Sequence, residues 1–96
     1  MTKENVIQIL MLVAEESLVR YNARILGIFG SVARGDDNDN SDIDVLVDFT
    51  EKADLFDFVG LALFLEEKFN RNVDVVPSDT IRSEIRDAVM KDAIYI

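Results

Sequence analysis

The sequence contains no cysteine and no histidine, and its 10 basic residues are outnumbered by 19 acidic ones. Without cysteine there is no disulfide and no thiolate chemistry. Without histidine as well, any metal must be held by oxygen, which points to Mg²⁺, Mn²⁺ or Ca²⁺ rather than zinc. A net charge of -9 opposes the phosphate backbone of nucleic acid, whose binding rests on clustered Lys and Arg, so no long nucleic acid is expected as a partner. Nor does any apolar run approach the roughly 18 to 20 residues of a membrane span, and the first ten residues lack the basic start of an export signal. No membrane partner and a cytoplasmic location are the expectation. Internal repeats, low-complexity tracts and linkers are missing too, and 96 residues suit one domain, 1–96, with one modest core.

What is present alternates between helix and strand. Thr2 is a candidate cap for a first helix to about Arg20, with Val6, Leu10, Val13 and Leu18 at helical spacing. Arg24 to Phe29 is short, apolar and β-branched and ends at Gly30-Ser31, which reads as a tight turn. Ala33 to Asn40 is rich in turn formers and predicts an exposed connection. From Ser41 to Phe49 the pattern alternates, placing Ile43, Val45, Val47 and Phe49 on one face and Asp42, Asp44, Leu46 and Asp48 on the other. Asp54 caps a second predicted helix to about Phe69, with Leu55, Val59, Ala62 and Leu65 or Phe69 inward. Val73 to Val76 forms a third strand, closed by Pro77, which cannot donate to a sheet ladder. Ser78 or Asp79 caps a third helix with an Ile81, Ile85, Ala88, Val89 stripe, and Ile94 to Ile96 adds a terminal strand. The order predicts an α/β (α+β) fold, with helices packed on one small mixed sheet.

Successive residues on one strand face lie roughly 6 to 7 Å apart, so the carboxylates of Asp42 and Asp44 can converge on one ion or a pair. The same two acids could equally project into water at the open end of a strand. Gly30-Ser31, at the end of the neighbouring strand, can present backbone N–H groups and a hydroxyl to phosphate. Ten residues separate Ser31 from Asp42, which gives Gly-Ser-x10-Asp-x-Asp across two strands. Asp74 by itself could be an edge residue facing water. Arg34 could neutralise triphosphate charge or pair with the acids of Asp36 to Asp39. Asp48 lies too far along its strand to share the ion. A calcium loop is not expected, because Asp42 stands where that loop needs glycine and the flanks read as strands.

Three segments, Ile28-Phe29-Gly30-Ser31-Val32-Ala33-Arg34-Gly35, Ser41-Asp42-Ile43-Asp44-Val45-Leu46-Val47 and Asn72-Val73-Asp74-Val75-Val76, make the chain resemble the DNA polymerase beta-like nucleotidyltransferase superfamily, in particular its minimal nucleotidyltransferase (MNT) antitoxin branch. The resemblance spans almost the whole chain and implies a nucleotidyltransferase fold. It implies that Asp42, Asp44 and Asp74 are the catalytic metal ligands, with Asp74 helping to deprotonate the attacking hydroxyl. Gly30 and Ser31 would hold the terminal phosphates, and Arg34 and Ser41 would add nucleotide contacts. Two Mg²⁺ ions, or Mn²⁺ in their place, and ATP as donor follow from the same likeness. So does a HEPN-domain toxin as partner, adenylylated on a tyrosine. The alternatives are an antitoxin that neutralises a ribonuclease toxin by binding alone, and a transferase with a small-molecule acceptor, which this chain has no second domain to enclose.

Overall fold

A computed structural model describes all of residues 1–96. Helix α1 runs Lys3–Tyr21, strand β1 Ala23–Phe29, helix α2 Gly30–Arg34, strand β2 Ile43–Phe49, helix α3 Leu55–Phe69 and strand β3 Val73–Pro77. A 3-10 turn, Ser78–Thr80, leads to helix α4, Ser83–Asp92, and strand β4, Ile94–Tyr95. The strands lie in the order β3-β2-β1-β4. β1 is antiparallel to both β2 and β4, whereas β2 and β3 are parallel. A parallel pair needs a long crossover, which α3 supplies. The result is the expected α+β arrangement of helices on a small mixed sheet.

The helix ends follow their caps. Thr2 accepts a hydrogen bond from the Asn5 N–H at 3.1 Å, and Asn22 ends α1 in the left-handed region with φ 55°. Asp54 and Asp57 form a reciprocal capping box at the start of α3, with bonds of 2.9 and 3.1 Å. Inside α1 the buried positions are Val6, Leu10, Val13 and Ser17. Leu18, expected inward, is exposed, and Ser17 takes that place by donating its hydroxyl to the Val13 carbonyl at 2.8 Å.

The inner face of α3 also differs from expectation. Leu61, Phe64, Leu65 and Phe69 are buried, with Phe58 packed against the core, whereas Leu55 and Val59 are exposed. The tilted ring contact of Phe64 with Tyr21, at 5.4 Å between centroids, fixes this rotation. Ala62 is partly buried, as expected.

The connections between elements differ from expectation as well. Gly30 to Arg34 is a short helix rather than a turn running into an exposed loop, and two of its own residues, Val32 and Ala33, are buried. The predicted cap at Ser78 or Asp79 opens the 3-10 turn instead, and α4 starts five residues later than Ser78. Of the predicted stripe only Ile81 is buried, and it precedes α4; no residue of α4 is buried, and Ile85 is 52% exposed. α4 packs over α2 and the end of β1, at the margin of the sheet.

β4 depends on a close backbone approach. The register of β1 slips between Ile25 and Gly27, and a Cβ at Gly27 would lie 2.1 Å from the Ile94 carbonyl oxygen. Gly27→Ala should therefore push β4 off the sheet edge and cost roughly 1–3 kcal/mol, as overpacking does. Urea denaturation checks this, and an unchanged midpoint would contradict the packing described. No helix is long and apolar enough to cross a membrane.

Candidate active site

The rows of the sheet bring the acids together. Asp44 is the second residue of β2; it faces Phe29 across the antiparallel β1 pair and Asp74 across the parallel β3 pair. Phe29, Asp44 and Asp74 thus form one rung across three strands, and neighbouring strands stand about 4.8 Å apart. Asp42 lies on the same side by alternation, but outside the ladder: β2 starts at Ile43, two residues later than expected, where its N–H donates to the Asn72 carbonyl at 3.0 Å. Asp42 and Asp74 are exposed and Asp44 is half-buried.

Burial is the main force on Asp44. It raises the carboxyl from 3.8 to about 6, aided by the negative charges of Asp74 and then Asp42 and opposed by Arg34. Asp44 therefore lies within reach of the charge of both other acids. The three do not close into a finished three-carboxylate cluster. The donor set nonetheless suits a hard divalent cation, because it is all oxygen and its excess negative charge is relieved by a positive ion.

Gly30 begins α2 directly against this rung. Its φ is +75°, and a Cβ there would lie 2.1 Å from Asp44 Oδ2. Glycine is required twice over, for the left-handed backbone and for the space. Ser31 follows in the same first turn, partly buried, and no side chain caps that helix start.

Two expected nucleotide contacts are engaged elsewhere. Arg34 Nε donates to Asp36 and Arg34 Nη1 to Asp92, each at 3.2 Å, and these bonds raise its pKa further above the ordinary arginine value. Asp36 belongs to the acidic run that the sequence offers Arg34 as a partner, whereas Asp92 comes from α4, 58 residues away. The Ser41 hydroxyl accepts from the Asn38 N–H at 3.0 Å, so it shapes the loop before β2. Asp48 sits opposite Arg24 at the far end of β2, outside the site, as expected. Sequence reasoning missed Arg71, whose guanidinium reaches Asp37, Asn38 and Ser41 from about thirty residues away. No periodicity or motif marks it.

The four surface concavities lie away from these residues; one, of about 330 Å³ between α1 and α3, is lined by Glu16, Arg20 and Leu63 among others. The carboxylate rung is thus an open margin of the sheet rather than a closed pocket.

Residues 13–96 match the nucleotidyltransferase domain family. The protein adenylyltransferase MntA of Thermococcus cleftensis is 34% identical over 96 residues, which cover all of this chain and 97% of the relative. A solved chain described as a minimal nucleotidyltransferase superposes with a TM-score of 0.83 at 33% identity, covering 100% of this chain and 97% of that one. A toxin–antitoxin structure with AMP-PNP shares the fold, with a TM-score of 0.68 at 21% identity over 99% of this chain and 72% of that one. With a family match over most of its length and a full-length relative at this identity, the chain belongs to the nucleotidyltransferase domain family.

Proposed function

We propose that residues 1–96 act as one minimal transferase domain that moves AMP from ATP to a tyrosine hydroxyl of a HEPN-domain toxin, and so serve as the cytoplasmic antitoxin of a toxin–antitoxin pair. The observation that carries this reading is the Asp44–Asp74 rung lying against Gly30. The name of the Thermococcus cleftensis relative supports the adenylyl group and a protein acceptor.

In this reading Asp42, Asp44 and Asp74 would hold two Mg²⁺ ions, for which Mn²⁺ could substitute. When bound, such ions neutralise triphosphate charge and stabilise the attacking and leaving oxygens of an in-line displacement. Gly30 and Ser31 orient the phosphates close to Asp44. Asp74 takes the phenolic proton as the tyrosyl oxygen bonds to the α-phosphorus; the bond from that phosphorus to the bridging oxygen breaks, and pyrophosphate leaves. An open sheet margin leaves room for an acceptor carried by another protein. The net charge of -9 suits a basic ribonuclease partner and disfavours long nucleic acid.

A second reading, neutralisation by binding alone, draws on the apolar surface that the helices expose. Phe56 is 86% and Leu12 83% exposed, and neither serves the carboxylates. One experiment separates the two. The protein, Mg²⁺, α-labelled ATP and the product of the neighbouring gene are incubated, and the partner is examined by mass spectrometry. The transferase reading expects one or more adenylyl groups on a partner tyrosine, none with an Asp42→Ala, Asp44→Ala double variant, and loss of neutralisation in that variant. A double variant that neutralises at equal dose, with no nucleotide on the partner, would leave binding alone.

A further inference from the structure

Arg71 stands in the link between α3 and β3, next to Asn70, which ends α3 in the left-handed region, and Asn72, whose carbonyl accepts from Ile43. Only 13% of its side chain is exposed. Nη1 donates to Asp37 at 3.3 Å, while Nη2 donates to the carbonyls of Asn38, at 3.1 Å, and Ser41, at 2.5 Å. All three acceptors belong to the loop that delivers Asp42. That loop is already closed on itself: Ser41 N–H donates to the Asn38 carbonyl at 3.0 Å, Asn38 N–H to the Ser41 hydroxyl at 3.0 Å, and Asn40 N–H to Asn38 Oδ1 at 2.8 Å.

An incidental surface pair would leave the guanidinium in water, where it gains little. Here the group is withdrawn from water even though its Nε finds no partner. Its flat fork gathers two main-chain carbonyls and one carboxylate, an arrangement a lysine ammonium cannot reproduce. The chain beside it grips the other flank, because Asn72 binds Ile43. Asp42, exposed and outside the ladder, is thus bracketed at Ser41 and at Ile43 by two consecutive residues, Arg71 and Asn72.

We propose that Arg71 is a positioning residue for nucleotide transfer, one that pins the Asp37-to-Ser41 loop so that Asp42 is presented beside Asp44 and Asp74. The proposal rests on the reading of Asp42 as a metal ligand. It is tested in the full chain with Arg71→Ala, Arg71→Lys and Asp37→Asn. Three quantities are read: hydrogen exchange of the Ser41 amide, Mn²⁺ affinity by electron paramagnetic resonance without nucleotide or acceptor, and kcat apart from KM for ATP.

Arg71→Ala should speed Ser41 exchange while the Val45 amide in β2 keeps its native rate, and should weaken Mn²⁺ binding by about 10-fold or more, as loss of an outer support does. Its kcat should fall by more than its KM rises. Arg71→Lys should be intermediate, and Asp37→Asn, which keeps both carbonyl contacts, near native. If Arg71→Ala fails to fold, Arg71→Lys carries the same comparison. Native Ser41 exchange or native Mn²⁺ affinity in the Arg71 variants would overturn the positioning role. A native protein that binds no Mn²⁺ would overturn the metal reading itself, and this role with it; the two failures are told apart by the native chain alone.

Discussion

Asp44→Asn is expected to abolish nucleotide transfer and, in the absence of divalent ions, to make the protein more stable at neutral pH. The folded protein holds the Asp44 carboxyl at about 6 against 3.8, through burial first and the neighbouring carboxylates second. Between those values the folded state binds more protons than the unfolded one, so stability falls as pH rises through the window and the penalty is complete above pH 6. For a fully shielded group this gap would correspond to about 3 kcal/mol. Asp44 is only half-buried, so solvent screening reduces it to on the order of 1–2 kcal/mol. Asparagine cannot ionise and escapes the penalty. Denaturation in chelator should find the native protein and the variant alike near pH 4 and the variant more stable at pH 8. A difference that does not change with pH would refute the assignment. In transfer assays, loss of several kcal/mol of charge stabilisation corresponds to a fall of roughly 1000-fold or more.

Gly30→Ala should act on both fold and chemistry. The left-handed backbone costs a non-glycine residue roughly 1–2 kcal/mol, and the new methyl would collide with Asp44 Oδ2. Gly35 separates the two causes, because its φ is +81° while nothing lies within 4 Å of a Cβ there. Gly35→Ala should lose a similar amount of stability and keep its transfer rate. Gly30→Ala should lose transfer by about 100-fold or more, since it displaces the acid at the centre of the rung. Equal transfer rates in the two variants would mean that contact between Gly30 and Asp44 is not needed.

These two variants test residues that the sequence already singled out. Asp44 was visible because β2 alternates, and Gly30 because glycine and serine end an apolar strand. The features that escaped were those with no local signal. Gly30 to Arg34 spans five residues, too few to show a helical period twice, and its turn-forming composition points to a loop. α3 is apolar almost all round, from Leu55 to Leu65, so no stripe reveals its inner face; packing against Tyr21 decides it. Ser17 displaced Leu18 because a serine that bonds its own helix can be buried. α4 has a stripe, yet at the margin of the sheet it meets too little surface to cover it. Arg71 finds its acceptors only after the chain has folded back by about thirty residues, a distance that no pattern in sequence bridges.

The rung of Phe29, Asp44 and Asp74 also has a fixed order of assembly. Its first two members lie on an antiparallel pair that one loop can join, but Asp74 reaches the sheet only after α3 has crossed over and β3 has docked in parallel. A nascent chain that has emerged as far as Phe49 therefore holds Gly30, Ser31, Asp42 and Asp44 but lacks the third acid, Asp74, that completes the rung. A one-residue slip of β3 would turn Asp74 to the opposite face. If Asp74 serves transfer as proposed, that capability arrives in a single step with topological closure, and half-synthesised or clipped chains are expected to be silent rather than weakly active.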